Sequence, residues 1–291
     1  PAAPRKDSFS DFFSSLLRTL RDMAADSYTE FRYYLEQACG IALGDSKHYL
    51  VSGRLTQLMS ENAIPTLADL VERLKQNRSP GLRERIIDAM TTNETLWFRD
   101  GYPYEILKKL ILPDLLHQSA HQARIWSAAC STGQEPYSVS MAIQEYLTAK
   151  PAGLPCGAHI VATDIAPSVL QDAARGLYNE AELARGLSPE RRGRFFTPRP
   201  GQWEVRPEIR ARVTFKEFNL MNDFAPMGKF DAVFCRNVLI YFSTELKRDI
   251  LARLAASLNP GGHLFLGASE TDANYSDAID MLRSSDGGLV F

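Results

Sequence analysis

The sequence predicts an α/β protein: a parallel sheet with helices on both faces, an all-helical region ahead of it and a small, partly antiparallel insert. Three observations carry that expectation. From about residue 100 onward, short apolar runs alternate with helical stretches, the pattern of strand–helix units in a parallel sheet. Ahead of that point, apolar residues recur only at helical spacing. Between Gly176 and Lys216 the alternation breaks, and Lys and Arg outnumber Glu there.

Phe9, Phe12, Phe13, Leu16, Leu17, Leu20 and Met23 predict a helical extension within residues 1–27, its apolar stripe packed on its own domain. A second helix is expected from Tyr28 to Gly40, a residue suited to a left-handed stop. Another covers Lys47 to about Asn62, with Val51, Leu55 and Leu58 on one face. Pro65-Thr66 and Ser79-Pro80 each open one more, proline being tolerated in a first turn. These helices define an all-helical domain over 28–92. From 28 to 90 it carries eight Lys or Arg and eight Asp or Glu, so it has no net electrostatic preference.

Residues 93–103 read as a linker, and 104–291 as the α/β domain. A helix from Tyr104 to Leu116 leads to an expected strand, Ala123 to Ala129, and a helix, Glu135 to Leu147. The next strand is His159 to Thr163, followed by a helix from Pro167 to Arg175. Phe230 to Phe234 is a buried strand ahead of the helix Thr244 to Leu258. Asn259-Pro260-Gly261-Gly262 reads as a turn before a last strand, His263 to Leu266. The insert is expected at about 176–216, with strands at Trp203 to Arg206 and Arg212 to Phe215.

Composition narrows the function classes. The chain is 45% hydrophobic and 23% charged, with a formal charge of −2, an ordinary globular profile. A general nucleic-acid binder would be more basic. No apolar run is long enough to span a bilayer and no segment reads as a secretory signal, so a cytoplasmic protein without membrane insertion is expected. Cys39, Cys130, Cys156 and Cys235 are scattered without close Cys-x-x-Cys spacing, which predicts reduced thiols and no metal.

Candidate binding residues gather where strands end, the place where open α/β sheets hold ligands. The first strand runs into Cys130-Ser131-Thr132-Gly133-Gln134-Glu135, which is not the glycine pattern of a pyrophosphate loop. Glu135 would suit an ammonium group; dipole complementation at a helix start is the plainer reading. Asp164 can accept the two hydroxyls of a ribose, or cap the next helix. Asn219 can read an adenine edge, with Leu220 packed on the ring. In Thr91-Thr92-Asn93-Glu94-Thr95-Leu96-Trp97-Phe98-Arg99, Asn93 and Thr95 supply neutral hydrogen-bonding groups and Arg99 a fork for a carboxylate. The combined chemistry is an adenosyl ligand with an amino-acid end and no phosphate, which S-adenosylmethionine satisfies.

The ordered set TTNETLWFR, ACSTGQEPYS, ATDI, FNL and CRNVLIYF resembles the chemotaxis receptor methyltransferases, protein-glutamate O-methyltransferases, over roughly residues 28–291. The resemblance implies a class I S-adenosylmethionine-dependent (Rossmann-like) methyltransferase domain behind an all-helical one, with a β-subdomain inserted. It implies cofactor contacts from Asn93, Thr95, Arg99, Glu135, Asp164, Asn219, Leu220, Asn237 and Val238, with S-adenosylhomocysteine as product. Arg99 and Tyr241 would meet the substrate carboxylate, on the cytoplasmic helical region of a methyl-accepting chemotaxis receptor. A monomer is expected. Two departures stand out: Trp97-Phe98 replaces the paired phenylalanines, and the turn Pro198 to Gln202 is short for a member that docks on a receptor tether peptide. The competing classes are a nucleic-acid methyltransferase and a non-catalytic signalling module. The first usually carries Pro-Pro after the Asn or Asp, where Val238-Leu239 stands here.

Overall fold

The computed structural model describes residues 26–76, 81–118, 122–151, 154, 156–270, 282–283 and 289–290. The helix expected over Phe9 to Met23 and the Ser79-Pro80 helix start lie outside these residues. The chain divides into two units after Met90.

The first unit is helical: α1 (residues 26–39), α2 (His48–Glu61), α3 (Leu67–Gln76) and α4 (Leu82–Met90). Phe31, Leu35, Leu55, Leu70 and Ile86 are fully buried, the apolar stripes of the four helices turned inward. Gly40 stops α1 at φ 79°, its N–H donating to the Glu36 carbonyl. Thr66 starts α3, its hydroxyl accepting from the Asp69 N–H at 3.2 Å.

The second unit opens with one helical run, α5 (Tyr102–Ile106), a π-helical turn (Leu107–Ile111) and α6 (Leu112–Gln118). Then β1 (Ala123–Ala128), α7 (Gln134–Ala149), β2 (Ala158–Asp164) and α8 (Pro167–Arg175) alternate. The insert follows: β3 (Leu177–Tyr178), α9 (Glu180–Ala184), α10 (Pro189–Phe195), β4 (Phe196–Arg199), β5 (Gln202–Val205) and α11 (Pro207–Arg210). Next come β6 (Val213–Glu217), β7 (Phe230–Cys235), α12 (Thr244–Ser257) and β8 (Leu258–Leu266). A short antiparallel pair, β9 (Leu282–Arg283) and β10 (Leu289–Val290), completes the described chain.

The main sheet has the order β6-β2-β1-β7-β8, every neighbouring pair parallel. From β1 the chain passes to β2 on one side and later reaches β7 on the other, so the crevice above their carboxyl ends is where a ligand is expected. Adjacent residues of β1 face opposite layers: Ile125 packs with Tyr137, Met141 and Phe234, while Trp126 packs with Phe230, Val233 and Leu254. All six residues of β7 are buried, the mark of a central strand covered on both faces.

Two boundaries differ from the sequence reading. Val213–Glu217 is not part of the insert. It pairs in parallel with β2 from Ile160↔Val213 to Asp164↔Glu217, so the insert closes near residue 212, not 216. Its exposed Thr214, Lys216 and Glu217 mark an edge strand, and on sequence an edge strand and a subdomain ribbon look alike. Asn259 to Gly262, expected as a turn ahead of the last strand, falls inside β8 as an irregularity: pairing jumps from Phe230↔Leu258 to Ala232↔His263. The insert itself is a three-stranded antiparallel sheet of order β3-β5-β4. Pro200 and Gly201 turn between the paired Arg199 and Gln202, with Gly201 at φ 72°.

Candidate active site

The segments leaving the carboxyl ends of β1, β2, β6 and β7, with the strap 93–100, carry every candidate residue. The β1 exit is tightly coiled: Ala129, Ser131 and Gly133 have φ of 57°, 50° and 94°. That coil delivers Glu135 in the first turn of α7. Its Oε1 accepts from the Ser127 hydroxyl at 2.8 Å and its Oε2 from Arg236 Nη1 at 3.2 Å. Burial pushes the Glu135 pKa above the usual carboxylate range, against the pull of Arg236.

Arg236 is a hub that the sequence reading did not assign. Its side chain is 1% exposed. It pairs with Asp100 and Glu135 and donates through Nη2 to the Arg99 carbonyl at 3.1 Å. One guanidinium thus joins the end of β7, the start of α7 and the strap. The visible signal was an arginine directly after a buried strand; what it paired with was not legible.

The strap is fixed at several points. The Asn93 carbonyl accepts from the Ser131 hydroxyl at 2.9 Å, and the Phe98 N–H donates to the Ser138 hydroxyl at 3.0 Å. Phe98 and Asp100 are left-handed, at φ 48° and 66°. Trp97 is fully buried, edge-on to Tyr178 and Phe196, with its Nε1–H donating to the Glu182 carbonyl at 3.1 Å. The indole therefore fits the site and ties the strap to the insert. Thr95 and Arg99 are both half-buried on this strap.

Asp164 closes β2 and is 6% exposed. Its Oδ2 accepts from the Ser131 N–H at 2.8 Å and its Oδ1 from the Ala166 N–H at 3.0 Å. Ala166, not Asp164, stands at the cap position of α8. The two backbone amides brace the carboxylate at the carboxyl end of β2. After β6, Asn219 is half-buried, its Oδ1 accepting from the Met221 N–H at 3.0 Å. Leu220 is buried with Trp126, Phe224 and Leu239. After β7, Asn237 takes φ 60°, and Val238 and Tyr241 pack partly buried on the same apolar cluster. The structure thus places all ten candidates on the strap and at strand exits of one domain. It adds Arg236, Asp100, Ser127 and Ser131.

The chemistry is limited by what these groups can do. Burial raises the Cys130 and Cys235 thiols well above their usual range, with the nearby carboxylates adding to the shift, so neither serves as a thiolate at neutral pH. Among the described residues no cluster of His, Cys, Asp or Glu could hold a metal ion. Two braced, largely hidden acids at neighbouring strand exits fit a ligand that offers hydroxyls and an ammonium, and would repel a pyrophosphate.

Comparison with known proteins agrees in kind. Residues 93–286 match the family described as CheR methyltransferase, SAM binding domain, and residues 26–91 match its all-alpha domain. Chemotaxis protein methyltransferase Cher2 of Pseudomonas putida is 52% identical over 262 residues, covering 89% of this chain and 95% of that protein. Chemotaxis protein methyltransferase 1 of Pseudomonas aeruginosa is 54% identical over 259 residues, covering 88% and 94%. The chemotaxis protein methyltransferase of Escherichia coli is 34% identical over 265 residues, covering 88% and 89%. A solved TehB-like SAM-dependent methyltransferase from Corynebacterium glutamicum is 12% identical, the match covering 66% of this chain and 93% of that one, with a TM-score of 0.35.

Proposed function

The chain belongs to the CheR family of chemotaxis methyltransferases, and from that premise we propose that it methylates glutamate side chains of methyl-accepting chemotaxis receptors. The products are glutamyl methyl esters and S-adenosylhomocysteine. The observation that most supports this reading is the pair of braced, largely hidden acids, Glu135 and Asp164, beside the strap that carries Arg99.

When bound, S-adenosylmethionine supplies an electrophilic sulfonium methyl. Glu135 holds the ammonium of its amino-acid end, and Asp164 the ribose hydroxyls. Asn219 and Leu220 take the adenine, and Asn93, Thr95, Asn237 and Val238 complete the enclosure. A glutamate acceptor is already ionised near neutral pH, so no strong base is required. The part left to this chain's residues would be to hold the acceptor oxygen against that methyl and keep water away. Arg99 holds the acceptor carboxylate as a bidentate fork, and the Tyr241 hydroxyl donates to the same group, keeping it in line and shedding water. An arginine pair that is too tight would blunt the nucleophile, so Arg99 positions more than it neutralises.

The partner is the cytoplasmic helical region of a receptor, and the enzyme acts as a monomer in the cytoplasm. The two-residue turn at Pro200-Gly201 favours independence from a receptor tether peptide. Tight binding of an isolated tether peptide would refute that point. The test of the main reading uses methyl-labelled cofactor with receptor-bearing membranes and with DNA or RNA. Base-labile label on receptor glutamates is expected; label on nucleic acid, or none anywhere, contradicts it.

A further inference from the structure

The loop after β7 is held by a group from outside its own motif. Asn237 sits at φ 60°, a conformation that costs a non-glycine residue energy unless its surroundings impose it. Its N–H donates to Glu270 Oε2 at 2.6 Å, and the Ile240 N–H donates to Glu270 Oε1 at 3.2 Å. A third donor, the Gly267 N–H, reaches Oε2 at 2.8 Å. Glu270 is 6% exposed and stands on the turn that leaves β8, the strand beside β7. The packing is close: a Cβ on Gly267 would lie 2.6 Å from Glu270 Oε2 and 2.7 Å from Asn237 Nδ2.

These partners are backbone amides, so the carboxylate fixes the path of the chain rather than neutralising a side chain. The sheet does not need this tie for its own pairing, because β7 and β8 are already in register up to Cys235↔Leu266. What the tie sets is the course of 237–240, between two residues assigned to the cofactor and the tyrosine assigned to the acceptor. We propose that Glu270 is a positioning residue for methyl transfer, its carboxylate holding the Asn237–Tyr241 loop in the shape that presents Asn237 and Val238 to the cofactor and Tyr241 to the acceptor. The proposal rests on the site assignments made above. It also explains why the residue is an acid. Glutamine has the same shape, but one acceptor oxygen becomes an NH2 group that would face a backbone N–H.

The test compares Glu270→Gln, Asn237→Ala and the double variant with the wild type, well below the unfolding midpoint. S-Adenosylhomocysteine binding is measured by calorimetry and methyl transfer by kcat and KM. Glu270→Gln is expected to weaken binding about ten-fold, the scale of a buried amide left without its acceptor, and to lower kcat. The double variant should bind no more weakly than the weaker single one, since both act through one loop. A merely structural role would shrink the active fraction, changing the calorimetric stoichiometry and leaving the Kd of the folded remainder alone. Wild-type Kd and kcat in Glu270→Gln overturn the proposal, as do losses that multiply in the double variant. If Glu270→Gln does not fold, Glu270→Asp, which keeps the charge but shortens the reach, is read by the same criteria. The assignments fail separately. If Asn237→Ala alone binds product like the wild type, the role given to Asn237 falls, and the kcat of Glu270→Gln then decides for or against Glu270 through Tyr241.

Discussion

Helix α7 carries two glutamates whose surroundings treat them in opposite ways. Glu145 meets Arg191 Nε at 2.7 Å and Lys108 Nζ at 2.9 Å. Burial alone would raise its pKa, but these two cations hold it below the usual range. Glu135, near the other end of the helix, has the Ser127 hydroxyl and one guanidinium, which is shared with Asp100. Burial prevails there and its pKa goes up. Both side chains are largely hidden, 13% exposed for Glu135 and 18% for Glu145, but Glu135 lies deeper from solvent, so stronger desolvation and a weaker supply of cations act together. Glu145 is a satisfied joint between α7, the helical run before β1 and α10. Glu135 is an acid that gains from a further positive group, which is what a cofactor ammonium would bring.

Variants sharpen that contrast. The largest effect is expected outside the pair. Arg99→Ala should cut methyl transfer by roughly a hundred-fold or more, the scale of a lost positioning contact to the reacting group. Turnover at the wild-type rate in a labelled-methyl assay would remove Arg99 from the site. Asp164→Ala should weaken cofactor binding by about 2 kcal/mol, as for charge-assisted hydrogen bonds, and unchanged calorimetric affinity would reject the ribose assignment. Glu135→Gln should weaken binding by a similar or smaller amount, about 1–2 kcal/mol, with a pH signature. Only ionised Glu135 pairs with an ammonium. Wild-type affinity should therefore tighten as pH rises from the ordinary carboxylate range through the raised pKa of Glu135, and the variant should lack that slope. A variant that keeps the slope shows that another group titrates.

Glu145→Gln should leave the cofactor Kd nearly unchanged and act on stability, by about 1–2 kcal/mol for hydrogen bonds to charged groups. The folded-state pKa of Glu145 is depressed, so its contribution is fully present above the unfolded carboxylate pKa and is lost as pH falls through the folded value. Melting temperatures of the two proteins should differ at neutral pH and converge in acid. A constant gap across that range would count against the network.

Local patterns made part of this legible. Glu135 and Asp164 follow apolar runs, and a residue just past or at the end of a buried strand declares its own location. The helices of the first unit declare themselves by apolar spacing, and Gly40 stops α1 as its type suggests. Where sequence reasoning stopped, the cause was tertiary. The sequence puts Val213 to Glu217 both at the end of the insert and as a strand with ligand residues beyond it, because edge strands of either sheet are half exposed. The tie made by Glu270 links two strand exits through backbone amides, and Gly267-Ala268-Ser269-Glu270 alone reads as a turn. Arg236 was visible as a residue out of place, but its partners come from the strap and α7, more than a hundred positions away in the chain. Trp97 looked like a conservative exchange, and the Glu182 carbonyl that receives its N–H lies in the insert.

The roles of Glu135, Asp164, Arg99 and Tyr241 all depend on where the adenosyl group sits. A crystal grown with S-adenosylhomocysteine should show the ribose hydroxyls on Asp164, the amino group on Glu135, and the sulfur toward Arg99 and Tyr241. Density for the product away from the carboxyl ends of β1, β2 and β7, with Glu135 and Asp164 untouched, would contradict it.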